Sequence, residues 1–241
     1  MKDEWADIAE YYDELYVKPE QYQREATKVI ALIETYKRSG GNQLLDLACG
    51  TGGHIPYWRN RYSVTGLDLS PAMLKHAIQK FPDVEFHLDD MVNFNLGHSF
   101  DVLVCLYGSI GIVRTVDNLN KALANFAASI KLGGILCLTP WSTQEEFEPK
   151  IVIDAVKLPS VRICRMENVK RKAPGLIEVD FHHLIGRNGI VTYHIQSFEI
   201  GLFSRQQYLD AIASVNLEFM EFYQGPEIPM GVFVARKRNS I

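Results

Sequence analysis

The sequence predicts a doubly wound α/β fold: a seven-stranded, mostly parallel sheet flanked by helices, with an antiparallel β cap inserted after the fifth strand. Three observations carry that prediction. Leu44-Leu45-Asp46-Leu47-Ala48-Cys49-Gly50-Thr51-Gly52 reads as a buried strand bending into a glycine turn, with a helix opening just after it. Strand and helix patterns then alternate as far as residue 139. From 150 to 203 the helical period disappears, and extended segments separated by turn signals replace it.

Taken in order, residues 3–16 and 20–38 suggest two helices. Pro19 opens the second, which carries Ala26, Val29, Ile30 and Ile33 at helical spacing, and Ser39-Gly40-Gly41-Asn42 ends it. Strands are expected at 43–48, 63–68, 84–88, 100–106 and 134–139, and helices at 53–61, 71–80 and 117–131. Phe100 to Leu106 is nearly all apolar after Asp101, as in a strand covered on both faces. Extended segments follow near 151–157, 161–170, 176–185 and 190–203, the last two joined by Asn188-Gly189, a strong hairpin signal. A helix over 204–215 has Ser204 as its N-cap, and strands 217–223 and 230–237 close the sheet as a hairpin. The domain division that results is 1–149 with 204–241 as the main domain, and 150–203 as the cap.

The glycine corner also constrains its ligand. A dinucleotide site wants a third glycine three residues after the second, and Ile55 stands there. Asp46, inside the strand, repels a pyrophosphate and suits a ligand with a positive end, such as an amino-acid ammonium. Asp68 ends the next strand 18 residues beyond Gly50, near the spacing of a ribose-hydroxyl acceptor. A nicotinamide-linked dehydrogenase is therefore the weakest rival reading.

With those residues in view, the pattern D-L-A-C-G-T-G, then G-L-D-L-S-x-x-M-L, then D-D-M, then F-D-V resembles the class I S-adenosylmethionine-dependent methyltransferases, across roughly residues 44–140. The resemblance implies a Rossmann-like fold and S-adenosyl-L-methionine as cofactor. It implies cofactor contacts at Asp46, Ala48, Gly50, Thr51, Gly52 and Leu106. It further implies Asp68 at the ribose, Leu69 and Met73 around the adenine, Asp90 and Met91 beside the adenine amino edge, and Tyr16 from the N-terminal lid.

Over nearly its full length the chain is similar to the N,N-dimethyltransferases of nucleotide-linked amino sugars. The residues that carry this are Tyr12-Asp13…Tyr16…Tyr22, Leu106-Tyr107-Gly108-Ser109-Ile110-Gly111, Pro140-Trp141, Leu202-Phe203…Tyr208 and Gly231-Val232-Phe233-Val234. The chain departs from relatives at two places. Ile112 stands where some carry a sugar-facing histidine or tyrosine. Met230 stands where an arginine often holds the pyrophosphate, with Arg205, Arg187 or Arg114 as substitutes. The acceptor therefore stays open between a nucleotide-linked amino sugar and another small metabolite methylated on nitrogen or oxygen. A non-catalytic cofactor-binding module is the reading from a different class.

Methyl transfer from a sulfonium is an in-line displacement with a neutral leaving group. Alignment supplies most of the barrier reduction, on the order of 7–11 kcal/mol, and a general base about 10²–10⁴-fold. The candidate catalytic residues are Tyr12 on the lid, Tyr107 after the fourth strand with Ser109 nearby, and His182 in the cap. His182 and His183 are adjacent on a strand, so at most one of them faces a pocket. His54 is expected to be exposed or to touch the cofactor carboxylate.

The composition is that of a globular protein, 47% apolar and 22% charged with a formal charge of −4, which leaves no footprint for nucleic acid. A basic run (Lys157, Arg162, Arg165, Lys170, Arg171, Lys172) reads as a solvated strand face. Cys49, Cys105, Cys137 and Cys164 are widely spaced and read as core thiols of a reducing compartment. The acidic N-terminus lacks an apolar signal region and no run reaches membrane-span length, so the expected location is cytoplasmic. The expected partner is a small-molecule substrate, without nucleic acid, membrane or metal. Related enzymes often form homodimers, and no sequence feature marks an interface.

Overall fold

The computed structural model describes residues 3, 5, 6, 8–16 and 18–238. Its main sheet contains β1 (Gln43–Leu47), β2 (Ser63–Asp68), β3 (Glu85–Leu88), β4 (Phe100–Cys105), β5 (Ile130–Leu138), β10 (Leu217–Gly225) and β11 (Ile228–Lys237). The strands are ordered β10-β11-β5-β4-β1-β2-β3. Pairing is parallel from β5 to β3, and β11 runs antiparallel to both β5 and β10. This is the sheet the strand–helix rhythm predicts, with the closing hairpin at one edge.

Helices cover both faces. Ala26, Val29 and Ile33 of α2 (Pro19–Tyr36) and Trp58 of α3 (Ile55–Trp58) pack against Val102, Val104, Ile135 and Cys137. On the opposite face, Leu119, Leu123 and Phe126 of α5 (Val116–Ser129) and Tyr208 and Ile212 of α6 (Arg205–Ala213) pack against Leu45, Leu103, Leu136 and Phe233. Alternate residues of β4 thus serve opposite faces, which is why that strand is apolar throughout. Ser204 caps α6 as expected, in a capping box with Gln207.

Four elements differ from the sequence reading. The helix expected over 53–61 contracts to α3, flanked by turns on both sides. The helix expected over 3–16 is a turn, a 3₁₀ segment at Ala9–Tyr11, and α1 (Tyr12–Tyr16); residues 4 and 7 of that span lie outside the described ones. β5 starts at Ile130, earlier than expected, since a register shift lets the glycine turn at 131–134 bulge out between Ile130 and Ile135. A 3₁₀ segment, Ser109–Val113, follows β4 where no element was expected.

Residues 150–201 form a separate antiparallel sheet of β6 (Lys150–Lys157), β7 (Val161–Ala173), β8 (Leu176–Arg187) and β9 (Ile190–Gly201). Asn188 and Gly189, both at positive φ, make the β8–β9 turn. One face of this sheet is packed: Ile177, Val179, Phe181 and Ile200 meet Trp5 and Trp141, while Tyr11 and Leu15 press on Val161, Ile163 and Ile185. The other face leaves Ile153, Met166, Leu184, Tyr193 and Ile195 exposed. Among the described residues no helix is long and apolar enough to cross a membrane.

Candidate functional site

A pocket opens at the carboxyl ends of β1 and β4, where open α/β sheets place their ligands. Asp46, Ala48, Gly50 and Thr51 form its floor, and Leu106, Tyr107 and Ser109 form one side. Tyr12, Tyr22 and His54 close it from the helices. Ala48 and Tyr107 both take positive φ (55° and 58°), a local strain that recurs at functional sites. Gly50 has open space where a Cβ would stand, so its backbone faces the pocket uncovered.

Asp68 clamps this corner. One carboxylate oxygen accepts the Gly50 N–H at 2.7 Å and the other the Ser70 N–H at 2.8 Å. Burial pushes its carboxyl above the usual range. Asp46 is 3% exposed and accepts the Trp58 indole N–H at 3.2 Å. Burial raises its carboxyl to about 6. His54 is buried as well, its Nε2 3.1 Å from Glu25, and its ring stacks on Trp58. The expectation that His54 is exposed fails, because α2 brings Glu25 and Tyr22 over it.

Aromatic rings wall the site. Tyr22 stacks on Tyr107 at 5.1 Å, and Tyr12 lies 4.8 Å from Tyr16. Burial pushes the phenols of Tyr12 and Tyr22 up, and that of Tyr107 to about 12, so all three stay protonated at neutral pH. The N-terminal segment is tied down at both ends. Asp3 accepts from the Ser70 hydroxyl and the Ala72 N–H, and Asp13 accepts from the Thr51 hydroxyl.

Several sequence candidates lie elsewhere. Leu69 is half exposed just past β2; Met73 is buried in the first turn of α4 (Pro71–Lys80). Asp90 accepts the Val92 N–H in the turn after β3, and Met91 is buried in the core. Gly52 packs behind the pocket toward Ile55 and Phe81. Two assignments need correction. Tyr16 is outside the pocket, with its ring 4.6 Å from Arg165 of the cap. His182 faces outward and bonds Tyr193 at 2.6 Å, because the inward residues of β8 are the odd-numbered ones; His183 is the one turned inward, fully buried. Sequence reasoning did not name Tyr22 and Cys49 of the pocket lining as site residues, nor Glu25, which holds His54 from behind. Glu25 could have been found as an acid inside the apolar stripe of α2.

The methyltransferase-domain family model matches residues 44–134. The chain is 33% identical to the dTDP-3-amino-3,6-dideoxy-alpha-D-glucopyranose N,N-dimethyltransferase of Streptomyces fradiae, over 94% of this chain and 89% of that one. It is 31% identical to the dTDP-4-amino-2,3,4,6-tetradeoxy-D-glucose N,N-dimethyltransferase of Saccharopolyspora spinosa, over 95% and 92%. The fold matches the X-ray structure of the sugar N-methyltransferase KedS8 from Streptoalloteichus with a TM-score of 0.87, at 29% identity over 95% and 93% of the two chains.

Proposed function

The chain belongs to the class I S-adenosylmethionine-dependent methyltransferases, and from that premise we propose that it methylates the amine of a nucleotide-linked amino sugar. The observation that carries the proposal is the aromatic pocket at the glycine corner, with the buried Asp46 in its lining. The residues present fit the cofactor. Asp46 in the pocket lining, with Asp68 and the buried Glu25 behind it, suits a ligand with ammonium and sulfonium charges, and the bare Gly50 backbone leaves it room. Asp46, Ala48, Gly50, Thr51 and Leu106 would hold its amino-acid end, with Asp68 at the ribose and Leu69, Met73, Asp90 and Met91 toward the adenine. His54, held by Glu25, is assigned to its carboxylate.

When bound, the cofactor supplies an electrophilic methyl group. The protein's part is to orient the amine and exclude water. Tyr12 and Tyr107, protonated at neutral pH, act as hydrogen-bonding walls rather than as bases. The two curated relatives are named for amines at different sugar carbons.

For the anionic linker, Arg205 is the substitute for the arginine absent at Met230. Arg187 pairs with Glu10 at 3.0 Å and Arg114 with Glu199 at 3.8 Å. Arg205 instead lies 4.1 Å from the ring of Phe222, the side chain against which Gly231 packs. Arg205→Ala should raise KM for a nucleotide-linked sugar about 10-fold or more, consistent with about 1.5–3 kcal/mol for a charged hydrogen bond, and leave cofactor affinity alone.

A cytoplasmic location is part of the same proposal, supported by the four free cysteines. The proposed partner is a small molecule rather than nucleic acid, supported by the net charge of −4. The apolar outer face of the cap supports a homodimer. Light scattering of an Ile153→Asp, Ile195→Asp double variant tests this, and an unchanged mass refutes it.

The deciding experiment incubates the protein with S-adenosylmethionine and a panel of nucleotide-linked amino sugars, and follows product mass. One or two methyl increments are expected. No increment with the cofactor bound transfers the reading to other small amines or hydroxyls, which Met230 favours, or to a non-catalytic module.

A further inference from the structure

Two charges interrupt the inward face of the cap. The inward residues of β7 are Val161, Ile163, Arg165, Glu167 and Val169, and all five are buried. Three of them are apolar and pack. Arg165, 7% exposed, is paired with Asp154, its neighbour across the β6–β7 register, and with Glu167 at 3.5 Å. Its Nε has no hydrogen-bond partner among the described residues. A buried ion group of this kind adds little stability, because desolvation offsets the attraction and apolar side chains of similar volume would pack as well. Stability alone therefore does not account for the charges.

Geometry supplies another role. The Arg165 guanidinium lies 4.6 Å from the ring of Tyr16 and 5.4 Å from that of Phe181. Tyr16 in turn lies 4.8 Å from Tyr12, with the two rings inclined at 32°. Trp5 meets Tyr12 edge-on at 5.7 Å. Tyr12 lines the pocket at the glycine corner, whereas Tyr16 and Arg165 stand behind it. The stack thus runs from the two carboxylates through Arg165, Tyr16 and Tyr12, and ends at the pocket.

The helix that carries Tyr12 needs such support. α1 has five residues, too few for a helix to hold its own shape in water. Asp13 ties it to the corner through Thr51 and Lys80. On the cap side, Leu15 joins the cluster of Val161, Ile163 and Ile185, and Tyr16 meets Arg165. A planar guanidinium gripped by carboxylates is a rigid seat for an aromatic ring. The Tyr16 hydroxyl is buried without a partner among the described residues, so the ring does the holding.

We infer that Arg165 is a positioning residue for methyl transfer: it seats Tyr16, and Tyr16 sets Tyr12 against the acceptor amine. The inference rests on the amino-sugar reading above and deepens it. It gives the packed inner layer of the cap a part in the reaction without any contact with the ligand.

The test is a double-mutant cycle on kcat. Arg165→Met and Glu167→Leu are introduced together, so that no fully buried charge is left unpaired. Met fills the volume of the arginine but is flexible and gripped by nothing. The paired variant should melt no lower than wild type and lose about 10–100-fold in kcat, the size of a misplacement of about 1 Å. In a Tyr12→Phe background the same replacement should cost nothing further. Tyr16→Leu should fall as the paired variant does, and Tyr16→Phe, which restores the ring, should recover kcat. A paired variant with wild-type kcat overturns the inference. So does a loss that persists in full in the Tyr12→Phe background, or one that tracks a lowered melting temperature; each leaves methyl transfer standing. A wild type that methylates no member of the amino-sugar panel overturns the inference together with the reading beneath it.

Discussion

The glycine corner and the cap build their sites by different means. The corner uses backbone: the strained Ala48, the open Gly50, and N–H groups held by Asp68, all within 25 residues of one another along the chain. The cap uses side chains from neighbouring strands that meet only because the register aligns Arg165 with Asp154 and Glu167 with Phe181. A backbone site is spelled by a short motif. A register site depends on which face each strand turns inward, and a shift of one residue reverses every role.

The largest expected effect breaks the corner's backbone. Gly52 sits at φ 81°, and a Cβ there would lie 2.8 Å from Ile55 and 2.9 Å from Phe81. Gly52→Val therefore combines a left-handed backbone, about 1–3 kcal/mol, with overpacking of similar size. Thermal melting should show a large loss of stability, with cofactor binding abolished. A variant that melts like wild type would show that the corner does not depend on this turn.

Next comes the clamp. Asp68→Ala frees the N–H groups of Gly50 and Ser70 and removes the proposed ribose acceptor. Cofactor affinity should fall about 10–150-fold, from about 1.5–3 kcal/mol for hydrogen bonds to a charged group. Calorimetry that finds unchanged affinity would remove Asp68 from the site.

The contrast between regions explains what was legible in the sequence. β2 and α4 begin and end where local signals put them, since Ser70 caps a helix opened by Pro71. Asp46, Gly50 and Thr51 surfaced together because motif and pocket share one short stretch. Glu25 was missed because its partner His54 lies 29 residues away and only the packing of α2 joins them. The cap's strands were legible from their turns, but its inward face was not. Choosing between His182 and His183 needs to know which face the N-terminal aromatics cover, and that is tertiary information.

A smaller, pH-dependent effect sharpens the corner. Asp46 is raised to about 6, against a usual carboxylate near 3.9 in the unfolded chain. Between those values the folded protein binds a proton that the unfolded chain does not. Stability of the cofactor-free protein should thus fall as pH rises through 6, by on the order of 2–3 kcal/mol. Cofactor affinity should move the other way, since ionised Asp46 attracts the ammonium. Asp46→Asn should flatten both curves. Parallel rather than opposing pH profiles in wild type would refute the assignment of Asp46 to the cofactor's positive end.

The smallest effect tests the cap by its silent face. His182 is partly exposed and bonds Tyr193 on the outward side, away from the pocket. His182→Ala should change stability by no more than about 0.5 kcal/mol and leave kcat, KM and the pH profile where they are. His183, one residue on and across from Arg165, should be sensitive in kcat. The pair is a direct test of register, because the two residues share sequence neighbourhood, chemistry and strand and differ only in the face they occupy. A His182→Ala variant that loses kcat while His183→Leu keeps full activity would mean that the sheet is turned over relative to the pocket.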